Sequence, residues 1–159
     1  MFHQIPYPQN KEEAYHLLFQ QANALFLDVN DAIANYANAS ALLAGFLQDI
    51  NWVGFYLYKE FELLLGPFQG KPACVRIAIG KGVCGTAAAT RTTMRIANVH
   101  EFPGHIACDE ASKSEIVIPL IKNGAILGVL DIDAPIYDRF DEIDQQYLEE
   151  FVSILLSFL

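Results

Sequence analysis

A chain of 159 residues with 53% hydrophobic and 12% aromatic residues has enough apolar side chains to build a buried core, which argues against intrinsic disorder. Nineteen acidic residues against ten Lys and Arg give a formal net charge of −9, which disfavours nucleic acid and anionic membranes as partners. The N-terminus lacks a basic flank followed by an apolar run, and no apolar stretch is long enough to span a bilayer. We therefore expect a cytoplasmic protein.

The first part of the chain predicts helices over about residues 11–47. Asn10 is an expected N-cap, and apolar residues follow it at helical spacing to about residue 27. Asn30-Asp31 supplies a second start signal, after which the apolar period continues. The two segments form either a helical hairpin or one bent helix.

From Trp52 the pattern changes to short β-rich segments. The sequences WVGFYLY and LLLGPF predict a hairpin, and a third short strand is expected over residues 75–79. The motif GKGVCGTAAATR predicts a loop that opens into a short helix, with Cys84 near its start. Residues 98–113 show no periodicity, which predicts a long loop of the kind that often carries function.

The strongest local signal is IVIPLIKNGAILGVLDID. Asn123-Gly124 is a preferred pair for a type I′ turn, which predicts paired strands near residues 115–122 and 125–132. Asp141 is an expected N-cap, and the apolar spacing after it predicts an amphipathic C-terminal helix.

This order of elements implies an α+β fold in which helices pack on one face of an antiparallel sheet. We expect residues 1–159 to form a single domain. Its parts are N-terminal helices at about 11–47, the sheet and its loops at 50–135, and a C-terminal helix at 141–158. A homodimer formed through the terminal helices and a monomer are both compatible with the apolar content of those helices.

Three cysteines, Cys74, Cys84 and Cys108, are candidates for redox chemistry. They contain no C-x-x-C pair, which argues against a structural metal site, and in a reducing compartment they predict free or transiently paired thiols. Each alone also fits a buried small apolar residue. Cys84 at a helix start and Cys108 in a polar loop are expected to be the more accessible. A helix N-terminus stabilises a thiolate by only about 0.3 to 1 kcal/mol, so further activation has to come from a pocket or a substrate.

Two loop residues near Cys108 bear on its reactivity. Asp109 would disfavour the thiolate if its carboxylate lay close by, and the sequence does not place that carboxylate. His105 fits a solvated loop histidine better than a member of a Cys/His pair, because local spacing does not define a catalytic dyad.

Three acids lie at one end of the Asn-Gly hairpin, because Glu115 begins its first strand and Asp131 and Asp133 end its second. Counting back from a two-residue turn sets Glu115 opposite Ile132, which points Glu115 and the two aspartates to different faces unless a bulge or strand-end twist intervenes. The acids are either solvated strand ends or a cluster that suits an ammonium group or holds one acid protonated.

Trp52 and Tyr56 lie four residues apart on one predicted strand and should face the same side. From the residues alone, core packing is favoured over an aromatic wall for a small apolar group.

Four segments together resemble the free methionine-(R)-sulfoxide reductases, a branch of the GAF-domain superfamily. They are NWVGFYLY, LLLGPFQGKPACVRIAIGKGVCGTAAATR, NVHEFPGHIACDEASKSEIVIPLI and NGAILGVLDIDAP, and the resemblance covers about residues 49–157. All three cysteine motifs and the acidic strand ends occur in the family's order. The resemblance implies a GAF-like domain whose antiparallel sheet encloses a small pocket on the face opposite the helices.

The resemblance also implies a reaction, the reduction of free L-methionine (R)-sulfoxide to methionine, with thioredoxin as the external reductant and no metal or organic cofactor. By motif match, Cys108 in GHIACD is the attacking cysteine, which becomes a sulfenic acid. Cys84 in GKGVCG and Cys74 in GKPACVRI are both candidates for resolving it through an intramolecular disulfide.

The same resemblance assigns the remaining site residues to substrate binding. Trp52 and Tyr56 match residues that line the pocket for the methyl group. Glu115, Asp131 and Asp133 match acids that hold the sulfoxide or the amino group, and either Glu115 or Asp133 is expected to protonate the sulfoxide oxygen.

Other classes of function remain open on the sequence alone. A GAF-type module could bind or sense a small molecule without turnover, and replacing Cys108 with Ser would leave such a function intact. A thiol peroxidase or a cysteine hydrolase is a third alternative.

Overall fold

A computed structural model describes residues 5–106 and 108–159. Residues 1–4 of the predicted domain and position 107 of the predicted loop lie outside the described residues. No helix in the described part of the chain is long and apolar enough to cross a membrane.

Three longer helices form where the sequence predicts them: α1 at Lys11–Phe26, α2 at Ala32–Phe46 and α4 at Glu142–Ser157. The two N-terminal segments are therefore separate helices. The Asn10 side chain accepts a hydrogen bond of 3.0 Å from the backbone N–H of Glu13, and Asp141 forms a reciprocal capping box with Asp144. Such caps contribute about 1 kcal/mol each because they satisfy N–H groups that have no partner inside the helix.

Six strands and one short helix make up the middle of the chain. In chain order they are β1 at Trp52–Lys59, β2 at Glu62–Gly70, β3 at Arg76–Ala78, α3 at Gly82–Thr90, β4 at Met94–Ile96, β5 at Ser114–Lys122 and β6 at Ala125–Ala134. Strand β4 was not predicted from the sequence. The 3-10 turn at Val99–Glu101, which lies inside the predicted loop, was not predicted either.

The strands form one antiparallel sheet in the order β3-β2-β1-β6-β5-β4. Its two faces have different partners because side chains alternate along each strand. One face packs against α1, α2 and α4 through buried residues such as Phe55, Ile116 and Ile132. The other packs against α3 through a smaller apolar cluster that includes Tyr56, Val117 and Val129. This confirms the predicted α+β arrangement with the N- and C-terminal helices on one face of the sheet.

The two ends of the chain are tied together by a buried carboxylate. Asp144 on α4 is 1% exposed, and it accepts a hydrogen bond of 2.7 Å from the hydroxyl of Tyr15 on α1. Lys11 and Arg139 approach the same carboxylate at 2.8 and 3.2 Å. Because a buried charge requires such compensation, the four groups fix how α1 packs on α4.

The β5–β6 hairpin turns as predicted at Asn123-Gly124, where both residues have positive φ, 51° and 78°. The register then shifts. Ile121 pairs with Ile126, whereas Leu120 pairs with Gly128, so Leu127 is one extra residue in β6. Such a β-bulge moves every later residue of the strand by one position relative to its partner strand.

Only glycine fits the residue after this bulge. Gly128 has a φ of 153°, and a Cβ built on it would lie 2.2 Å from the carbonyl oxygen of Tyr56 on the neighbouring β1. The bulge is therefore fixed by a close approach of two backbones.

Candidate active site

A pocket opens on the face of the sheet that carries α3. Its floor comes from β1, β5 and β6, and its walls come from residues 71–73, the start of α3 and the described part of the loop 98–113. The predicted site residues that line it are Trp52, Tyr56, Cys84, Cys108, Glu115, Asp131 and Asp133. The eighth, Cys74, is joined to Cys108 by a disulfide.

The bulge in β6 brings the three acids to one face. Glu115 pairs with Asp133, and Asp133 in turn pairs with Trp52, so these three side chains form a row across adjacent strands. Asp131 lies two residues before Asp133 and faces the same side. The predicted pairing of Glu115 with Ile132 is wrong, because Leu127 shifts the register by one residue.

The acids are not solvated strand ends. Glu115 is 5% and Asp131 6% exposed, and Asp133 is half-buried. Burial raises the pKa of Asp131 from 3.8 to about 6. Burial, and then the nearby carboxyl of Asp131, hold the pKa values of Glu115 and Asp133 well above their ordinary range. The cluster therefore contains acids that keep a proton near neutral pH.

One oxygen of this cluster is unsatisfied. Oδ1 of Asp131 is buried and has no hydrogen-bond partner among the described residues. Since an unpaired buried acceptor is costly, its position on the pocket floor marks a place where a ligand donor or cation is favoured.

Two of the cysteines form a disulfide at the rim of the pocket. Cys74, between β2 and β3, is bonded to Cys108 in the loop 98–113, with their Cα atoms 5.7 Å apart. Cys108 is exposed and Cys74 half-buried. The sequence leaves the pairing open between Cys74 and Cys84, and the bond present here joins Cys108 to Cys74.

Cys84 has a different environment. It is 4% exposed beneath the pocket, and its Sγ lies 3.9 Å from Oε1 of Glu115. Burial, followed by the charges of Asp131 and Glu115, raises the pKa of the Cys84 thiol well above its ordinary value. The prediction that Cys84 is accessible is wrong, because the start of its helix faces the sheet. The loss of solvent around the thiol raises its pKa by more than a helix N-terminus lowers it.

Trp52 and Tyr56 form both a packed core and a wall of the pocket. Their rings stack with centroids 5.8 Å apart, which confirms that they face the same side. The indole of Trp52 donates a 3.1 Å hydrogen bond to the carbonyl of Lys71, and the hydroxyl of Tyr56 donates one of 2.9 Å to the carbonyl of Cys74. The aromatic pair therefore holds the segment that carries Cys74.

His105 lies in the pocket wall, contrary to the solvated position that the sequence favours. Its side chain is 13% exposed, and its Nε2 lies 3.8 Å from Oε2 of Glu115. Burial, and then the neighbouring His100, lower the pKa of His105, so the imidazole is mainly neutral near pH 7. Nothing in the local sequence signals this contact, because it depends on the path of the loop 98–113 over β5.

The carboxylate of Asp109, the residue after Cys108, has three partners. Its Oδ1 accepts from the backbone N–H of Ala111 at 2.9 Å, its Oδ2 accepts from the side chain of Asn51 at 3.2 Å, and Lys71 lies 3.8 Å from Oδ1. The hydrogen bond from Ala111 is the main cause that lowers the pKa of Asp109. This carboxylate therefore helps to shape the loop around Cys108.

The fold and the pocket define a class of protein. An antiparallel sheet of this order, with terminal helices on one face and a pocket beneath a short helix on the other, is the architecture of a GAF domain. The model of the GAF-domain family matches residues 18–156 of the chain.

More specific relatives are found within that class. The free methionine-R-sulfoxide reductase of Escherichia coli is 53% identical over 146 residues, which cover 92% of this chain and 88% of the relative. The solved structure of fRMsr of Staphylococcus aureus in its reduced form is 55% identical, with a TM-score of 0.90 and 99% of each chain covered. That of the free methionine-R-sulfoxide reductase from Neisseria meningitidis in complex with its substrate is 40% identical, with a TM-score of 0.93, and the match covers 99% of this chain and 95% of that one.

The chain belongs to the family of the free methionine-R-sulfoxide reductases, as the resemblance of its motifs predicts.

Proposed function

We propose that this protein reduces free L-methionine (R)-sulfoxide to L-methionine by thiol chemistry between Cys108 and Cys74. The observation that carries the proposal is the disulfide between these two residues at the rim of a pocket whose floor bears three acids. Membership of the reductase family supports the choice of substrate. A sensor that only binds its ligand has no need of a disulfide at this position.

In the first step, the thiolate of Cys108 attacks the sulfoxide sulfur while an acid protonates the sulfoxide oxygen. Glu115 suits the role of the acid, because its raised pKa keeps it protonated near neutral pH. The oxygen passes to Cys108, which becomes a sulfenic acid, and methionine leaves with its sulfur reduced. His105, next to Glu115, then returns a proton from solvent to the carboxylate.

In the second step, Cys74 attacks the sulfenic sulfur of Cys108, the S–O bond breaks, and water leaves as the disulfide forms. The distance of 5.7 Å between their Cα atoms lies within the range that a disulfide requires. Thioredoxin, a dithiol protein, then reduces the disulfide by exchange and becomes oxidised itself. The exposure of Cys108 gives such a partner access to the bond.

The acids also explain why the substrate would be a free amino acid. An ammonium group placed on the floor of the pocket would donate to the unpaired Oδ1 of Asp131 and would lie close to Asp133. A methionine sulfoxide residue within a protein has no ammonium group at that position. Trp52 and Tyr56 offer an apolar wall for the methyl group of the same ligand.

The test is a turnover assay with purified, fully reduced protein, thioredoxin, its reductase and NADPH. We expect methionine to form from the free (R)-sulfoxide, and little to form from the (S) epimer or from N-acetylmethionine (R)-sulfoxide. The Cys108→Ser variant should be inactive. If the wild-type protein gives no turnover, or if Cys108→Ser turns over equally well, the proposal is wrong; binding of methionine without turnover would favour a sensor.

A further inference from the structure

A second kind of chemistry, the binding of a metal ion, is available in the pocket beneath the disulfide. The Sγ of Cys84 and one carboxylate oxygen each of Glu115 and Asp131 all lie within 4.8 Å of one another. The three residues come from α3, β5 and β6, so the fold itself brings them together. All three side chains are buried, with exposures of 4%, 5% and 6% in the same order.

The unpaired oxygen of Asp131 points to a cation as a ligand. Oδ1 has no hydrogen-bond partner among the described residues, although Asp131 is more than nine-tenths buried and lies on the pocket floor. A metal ion would satisfy this oxygen and would at the same time neutralise the crowding of acidic groups around it. A single bound cation would therefore both pair with Oδ1 of Asp131 and reduce the repulsion among the neighbouring acids.

The donor set selects the kind of cation. A thiolate with two carboxylate oxygens suits Zn²⁺, whereas Mg²⁺ and Ca²⁺ prefer oxygen donors alone. His105 supplies a nearby nitrogen, since its Nε2 lies 3.8 Å from the second oxygen of Glu115. Bonds of about 2.3 Å to sulfur and about 2.0 to 2.2 Å to oxygen require the donor atoms to draw together by about 1 Å.

We propose that Cys84, Glu115 and Asp131 form a binding site for a thiophilic divalent cation such as Zn²⁺, and that the bound ion excludes other ligands from the pocket floor. On binding, the Cys84 thiol and the protonated carboxyl of Glu115 each lose a proton to solvent, and the sulfur and the carboxylate oxygen bond to the metal with no change of oxidation state. Because the ion takes the oxygen of Asp131, the site gives the protein a means of inhibition by zinc. The site does not depend on turnover.

The oxidised protein allows a direct test. With Cys74 and Cys108 joined, Cys84 is the remaining thiol of the three cysteines, so any thiolate–metal bond has to involve it. We expect isothermal titration with Zn²⁺ to show one site per chain. Titration with Co²⁺ should give a near-ultraviolet thiolate-to-metal band.

Three variants separate this site from adventitious binding. Cys84→Ser should abolish the Co²⁺ band and weaken Zn²⁺ binding by about tenfold or more, and Asp131→Asn should also weaken it while leaving the thiol in place. Glu150→Gln, which removes an exposed acid on α4, should bind Zn²⁺ like the wild type. Circular dichroism checks that each variant is folded.

The absence of a one-site Zn²⁺ isotherm in the wild type, or unchanged binding and an unchanged Co²⁺ band in Cys84→Ser, would overturn the proposal. The titration measures binding to a protein that is not turning over. A negative result for Zn²⁺ binding can therefore be distinguished from a negative result for reductase activity.

Discussion

Replacing Gly128 with Ala tests the bulge that puts the three acids on one face of the sheet. The new Cβ would lie 2.2 Å from the carbonyl oxygen of Tyr56 and 3.0 Å from the Cα of Leu57, where ordinary contacts begin at 3.4 Å. Strand β1 has to move by about 1 Å, which weakens one or two ladder hydrogen bonds worth about 1 kcal/mol each. The positive φ of 153° adds about 1 to 3 kcal/mol of backbone strain. We expect a total loss of about 2 to 5 kcal/mol.

The assay is urea unfolding of the oxidised protein, with thermal unfolding beside it. For a chain of this size, the expected loss corresponds to a fall in Tm of about 10 °C. Gly124→Ala is the matched control, because this glycine lies in the turn of the same hairpin with a φ of 78° and a Cβ added to it would meet nothing within 4 Å. It should lose only about 1 kcal/mol, from backbone strain. Equal losses in the two variants would refute the argument that the close approach of two backbones fixes the bulge.

Three further predictions concern the proposed chemistry. Without a reductant, Cys74→Ser should release about one methionine per chain and accumulate a sulfenic acid that dimedone traps. Cys84→Ser should form the disulfide as the wild type does. Mass spectrometry distinguishes the two products, and a disulfide in Cys74→Ser would contradict the pairing of Cys74 with Cys108. His105→Gln should lower kcat by about tenfold with little change in KM, because the histidine supplies protons without binding the substrate; an effect on KM alone would assign it to binding. Asp131→Asn should raise KM for the free amino acid by about tenfold or more while Glu150→Gln leaves it unchanged, and an unaltered KM would argue against an ammonium contact.

Much of the fold could be predicted because its signals are local. The caps at Asn10 and Asp141 and the turn at Asn123-Gly124 depend on side chains that act within three or four residues, and each is found where it was expected. The stacking of Trp52 on Tyr56 follows from the alternation of a single strand. Strand β4 was missed because its three residues offer only two apolar positions, whereas β3, which is equally short, lies within the longer alternating segment 75–79.

What could not be predicted depends on contacts between distant segments. The bulge at Leu127 exists because Gly128 meets Tyr56 on another strand, and counting residues within the hairpin carries no information on that approach. The burial of Cys84 and the placement of His105 beside Glu115 likewise depend on how α3 and the loop 98–113 pack over the sheet. The resemblance of the motifs identified the acids as a group although the simple register separated them.

The hydrogen bonds from Trp52 and Tyr56 couple the shape of the pocket wall to the position of the segment that carries Cys74. An enzyme engineer would prefer to vary these two properties separately. Both aromatic residues shape the wall of the pocket, and both anchor the carbonyls of Lys71 and Cys74. A substitution that enlarges the wall to admit a bulkier sulfoxide also releases the segment that carries Cys74. In variants selected for a broader range of substrates, formation of the disulfide should therefore be the first step to slow down. Such variants should accumulate the sulfenic acid of Cys108.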